Sequence, residues 1–119
     1  KGLSYIASAY LDWTRENPAQ ANLLTRELLD NRERASRAGH WHLSGFTDQI
    51  IDLVRRGQKA GRLRVCDPAL PVEMILGFAQ FHVAARPTRP YLTGAKAARA
   101  YERRLDTEWA QAIGAAFAA

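Results

Sequence analysis

The chain has a single cysteine, which excludes a disulfide scaffold and any zinc site built on several thiolates. No run approaches the roughly 18 consecutive apolar residues of a membrane helix, and no secretory signal pattern opens the chain. Valine, isoleucine and threonine are few and scattered, so strands have little to be built from. There is no glycine-rich phosphate cradle, no HExxH, and no carboxylate–histidine pattern repeated across helices. Nor does spacing bring a nucleophile, a base and an orienting group together. The expectation is a non-enzymatic, cytoplasmic protein with no cofactor, no metal and no membrane partner.

What is present points to helices. The 119 residues suit one domain, and 47% apolar with 24% charged residues is an ordinary globular balance. A chain of this size buries roughly two thirds of its unfolded surface, enough for a true core. Alanine, leucine and arginine dominate, all good helix formers. The periodicity reads as five helical segments in an all-α domain.

The first segment runs from Leu3 to Glu16, with Leu3, Ile6, Tyr10 and Trp13 recurring every three or four residues. Asn17-Pro18 ends it, since a residue before proline resists the α region. The second runs from Pro18 to about Ala38, with Ala21, Leu24, Leu28 and Ala35 on one face. His40-Trp41-His42-Leu43 reads either as a bent continuation or as a short loop. The third covers Phe46 to Arg56, with Ala60 as its outer limit and Gly61 as a left-handed end. The fourth begins at Asp67 or Pro71 and ends near Ala85, with a wide apolar surface. Arg86-Pro87-Thr88-Arg89-Pro90 reads as a rigid linker. The fifth runs from Thr93 or Gly94 to Phe117.

The last two helices carry more apolar surface than so small a domain readily buries. They are expected to form an intermolecular four-helix bundle in a homodimer, with Phe81, Tyr101, Leu105, Trp109, Ile113 and Phe117 at the seam. The net charge of +5 raises the possibility of nucleic-acid binding, through Arg55, Arg56, Lys59, Arg62 and Arg64 or through Arg99, Arg103 and Arg104. No recognition-helix motif accompanies these patches, so they read as solvated surface. His40 and His42 lack the third and fourth ligands of a metal site. Cys66 reads as a partly buried, inert thiol. His82 stands out because it lies among Phe78, Ala79 and Phe81, where a ring nitrogen needs a partner or a pocket.

Two segments carry a family resemblance. Tyr10-Leu11-Asp12-Trp13-Thr14-Arg15-Glu16-Asn17-Pro18 resembles the aromatic and Glu-Asn-Pro segment that opens the C-terminal domain of many TetR-family transcriptional regulators. Gly57-Gln58-Lys59-Ala60-Gly61-Arg62-Leu63-Arg64, followed by Asp67-Pro68, resembles the Gly-Gln-x-x-Gly-x-Leu turn of the same domains. The resemblance implies a dimeric regulator whose C-terminal domain holds a small, apolar effector. Operator DNA would be bound only through an N-terminal helix-turn-helix domain preceding Lys1. Residues 1–119 would form a single effector-binding and dimerisation domain, with residues 1–16 as the connecting helix. Ligand binding would relieve DNA binding by favouring a DNA-incompetent dimer. Stripe membership suggests Tyr10, Trp13, Leu24, Leu28, Phe46, Ile50, Met74, Phe78 and His82 as pocket lining. The competing reading is a helical protein-interaction module without an effector.

Overall fold

The computed structural model describes residues 2–30, 32 and 44–119. Six helices lie among the described residues: α1 Leu3–Glu16, α2 Pro18–Asp30, α3 Ser44–Lys59, α4 Ala69–Ala85, α5 Arg89–Thr93 and α6 Ala95–Phe117. The domain is all-α, as its composition requires, but the expected five segments become six. The addition is α5, in what reads from sequence as linker. Pro90 sits in its first turn, where the missing amide hydrogen has no intrahelical partner to lose. Thr88 and Tyr91 begin the turn through backbone bonds to Ala85 and Thr88. The end of the second expected helix, and His40, Trp41 and His42, lie outside the described residues.

Helix α1 is central and packs against α2, α3, α4 and α6. Its buried face is Leu3, Ala7, Tyr10, Leu11 and Thr14. Trp13, expected on that stripe, is 37% exposed. The helical period carries the buried stripe through residues 10, 11 and 14, leaving Trp13 at its margin, stacked on Tyr10 at 5.8 Å. Thr14 is buried without penalty because its hydroxyl donates to the Leu11 carbonyl at 2.7 Å.

Helices α1 and α6 run antiparallel in close contact. Ser4 Oγ donates to the Ala110 carbonyl at 2.9 Å, and Trp109 Nε1 donates to the Ala7 carbonyl at 3.2 Å. Gly114 permits this approach, since a Cβ there would lie 2.9 Å from Ser4 Oγ. The inner face of α6 is Ala98, Leu105, Trp109, Ile113 and Phe117.

Helix α3 runs through Gly57 to Lys59, and Gly61 then takes the expected left-handed conformation at φ 77°. The chain returns through an extended stretch held by the end of α6. Leu63 bridges Ala118, and Arg64 N donates to the Phe117 carbonyl at 3.0 Å. Asp67 Oδ1 accepts from Ala69 N at 3.0 Å, where α4 begins. No described helix is long and apolar enough to cross a membrane.

Candidate functional site

Helix α4 is buried on two sides, and each side carries one buried polar residue. Gln80 faces α1 and α2. Its Oε1 accepts from the Tyr10 hydroxyl at 2.8 Å, and its Nε2 donates to the Ala21 carbonyl and to Thr25 Oγ1, both at 2.7 Å. Burial pushes the Tyr10 hydroxyl up to about 12. The network is satisfied, and it ties three helices together.

His82 lies two residues on, which on a helix turns it by roughly 200° from Gln80. It faces α5 and α6 and is 1% exposed. Its Nε2 stands 2.9 Å from Glu102 Oε2, close enough to attract but not aligned as a hydrogen bond. Neither ring nitrogen has a hydrogen-bond partner among the described residues. Burial holds the imidazole below its usual range, against the pull of Glu102 and with the push of Arg89, Arg15 and Arg86.

Three arginines from distant segments converge on Glu102. Arg15, from α1, reaches Oε1 at 3.2 Å and also pairs with Asp106. Arg86 and Arg89 approach Oε2 at 3.4 and 3.8 Å. Arg89 is further held by a donated bond to the His82 carbonyl at 3.3 Å and by the Tyr101 ring, whose centroid lies 5.6 Å from the guanidinium carbon.

Beside this cluster a cleft of about 380 Å³ opens between α4, α5 and α6. It is lined by Phe78, Phe81 and His82 from α4, Arg89 and Thr93 from α5, and Ala97 and Tyr101 from α6. Phe78 stacks on Trp109 at 4.2 Å, which fixes the cleft floor to the core. A smaller cleft of about 210 Å³ lies on the far side of Arg89, against Arg86, Arg99 and Glu102.

The residues expected to line a pocket thus separate. Phe78 and His82 enter this cleft, together with Phe81 and Tyr101 from the expected seam. Tyr10, Trp13 and Phe46 form a separate aromatic stack, with Tyr10 and Phe46 5.3 Å apart. Ile50 and Leu24 are core residues, while Leu28 and Met74 are partly exposed. Of the seam residues, Leu105, Trp109, Ile113 and Phe117 are buried inside this chain, in its own core. That surface is already used. Phe81, by contrast, is 70% exposed.

Sequence reasoning singled out His82 but missed Arg15, Arg86, Arg89 and Glu102. Each looks like ordinary surface charge in its own segment, and only the fold brings them together. Gln80 carried the same signal as His82, a polar residue in an apolar helix. The basic patches are exposed on α3, on the turn after it and on α6. Cys66 is partly buried, with its carbonyl accepting from Gln58 Nε2 at 2.9 Å. The described residues contain no group of three or more metal-ligating side chains.

Comparison with curated proteins and with solved structures found no match. Comparison with family models found one that spans residues 1–110, described as tetracyclin repressor-like, C-terminal domain. The match covers both segments that carry the sequence resemblance and every residue lining the cleft, and the chain belongs to the TetR C-terminal domain family.

Proposed function

We propose that this chain is the effector-sensing and dimerisation domain of a TetR-like transcriptional regulator, with a regulatory rather than a catalytic role. The observation that carries this reading is the cleft between α4, α5 and α6, with a buried histidine at its wall whose nitrogens have no hydrogen-bond partner among the described residues. Apolar walls with a few convergent polar groups are the usual makeup of a small-molecule site. Family membership supports the same role. DNA binding would be the work of a separate helix-turn-helix domain, released when effector favours a dimer arrangement unable to hold operator DNA.

The outer face of α4 supports the dimerising half of the reading. Leu70, Met74, Gly77, Phe81 and Ala84 fall at helical spacing and are exposed. This stripe, rather than the inner face of α6, is the proposed seam, together with the outer face of α6. Phe81 belongs both to the stripe and to the cleft, so ligand and partner would meet at one residue.

A thermal-shift screen of small apolar and amphipathic compounds tests the sensing role. Hits should raise the melting temperature of the native chain and lose their effect in Ala97→Phe, which fills the cleft from an exposed position. A screen with no stabilising compound counts against the reading. Light scattering should show a dimer at micromolar concentration, and Phe81→Asp should convert it to monomer.

A further inference from the structure

The charge around the cleft is unbalanced. Glu102 faces three guanidinium groups. Arg15 has two further carboxylates, Asp106 and Asp12, but Arg86 and Arg89 share Glu102 Oε2 as their one carboxylate partner among the described residues, at 3.4 and 3.8 Å. That oxygen makes no aligned hydrogen bond with either of them or with His82. One buried carboxylate oxygen is thus the shared neighbour of Arg86, Arg89 and His82 and aligns with none of them. The surplus positive charge of Arg86 and Arg89 at a low-dielectric wall favours an incoming anion. A cation would be repelled by the same groups. A neutral apolar compound would leave the surplus charge of Arg86 and Arg89 unanswered.

The opposite wall sets the other half of the ligand. Phe78, Phe81 and Tyr101 present aromatic faces, and Ala97 leaves room beside them. About 380 Å³ lies near the lower end of the range for small-molecule pockets. We propose, building on the effector reading of this cleft, that its ligand is a small amphipathic monocarboxylate. Its apolar body lies against Phe78, Phe81 and Tyr101, and its carboxylate is received by Arg89. Arg89 is suited to the task because Tyr101 and the His82 carbonyl already hold its guanidinium in place, so little ordering is left to binding.

Calorimetric titration of the chain with octanoate, octanamide and octylamine tests this, with acetate as the probe lacking an apolar body. Octanoate should bind about tenfold or more tighter than octanamide, the scale of a charge-assisted hydrogen bond. Octylamine and acetate should bind weakest. Arg89→Gln should erase the preference for octanoate over octanamide, and Ala97→Phe should weaken both. Circular dichroism reports whether Arg89→Gln stays folded. The octanoate-to-octanamide ratio in the unsubstituted protein decides the matter even if it does not. Equal binding of octanoate and octanamide, tighter binding of octylamine, or octanoate binding indifferent to Ala97→Phe overturns the carboxylate assignment and leaves the effector reading in place. If none of the probes binds while the broader screen finds stabilising compounds, the assignment alone fails. If both fail, the effector reading falls with it.

Discussion

Gln80 and His82 sit two residues apart on one helix, are both buried, and have opposite fates. Gln80 meets a tyrosine, a threonine and a backbone carbonyl at 2.7 to 2.8 Å, so every polar atom it brings inside finds a partner. His82 meets four charged groups and aligns with none of them as a hydrogen bond. Buried polar groups in folded proteins are nearly always satisfied, and the exceptions concentrate where a protein binds or reacts. The comparison therefore separates a polar group that holds the fold from one at the wall of the proposed effector site.

Breaking the satisfied side should cost most. Gln80→Ala removes three hydrogen bonds and strands the Tyr10 hydroxyl, so a loss of about 3 kcal/mol is expected by urea unfolding. Ligand binding at the cleft should survive wherever the variant stays folded. A loss well under 1 kcal/mol would erase the contrast between the two sides.

His82 should show itself in pH dependence rather than in stability at neutral pH. In the unfolded chain it titrates at its ordinary value, and in the folded protein below it. Between those values the unfolded state binds more protons. Stability from this residue is therefore present above about pH 6.5 and declines as pH falls through the depressed folded value. His82→Gln should flatten the stability profile below that point relative to the native chain. Profiles of equal slope would show that the imidazole is not held low.

Arg15 joins the His82 cluster to α1. Its partners are partly exposed, so screening limits the loss from Arg15→Gln to about 1 kcal/mol. The smallest effect belongs to exposed pairs within one helix. Arg104→Ala breaks the contact with Glu108 at 3.3 Å and should change stability by under about 0.5 kcal/mol. If Arg15→Gln proves no costlier than Arg104→Ala, the cluster contributes nothing to the packing of α1 on α6.

The helices were legible because the signals that define them are local. The stripe in α1, Asn17-Pro18, Gly61, Asp67-Pro68 and the approach to Gly94 placed most boundaries within a few residues. Helix α5 was not legible, since five residues make too short a window for periodicity and the two prolines around it read as linker. The cleft was half legible. His82 and Phe78 announced themselves through an apolar context, while Arg15 meets Glu102 across 87 residues of chain with no local trace of it. The seam illustrates a different limit. Periodicity finds an apolar face but cannot say whether the same chain or a second copy covers it. Leu105, Trp109, Ile113 and Phe117 proved to be covered from within.

The antiparallel contact between α1 and α6 has a mechanical asymmetry. Near the start of α1 it is fastened by short bonds to backbone carbonyls, from Ser4 to Ala110 and from Trp109 to Ala7, with Gly114 allowing no slack. Near the end of α1 the polar contact among the described residues is the long side chain of Arg15, reaching Glu102 and Asp106. Sliding one helix along the other would break both short bonds, whereas a small swing of the Arg15 end would break neither. The pair is built as a pivot with an adjustable strut, and the strut is anchored on the same carboxylate that His82 and Arg89 face.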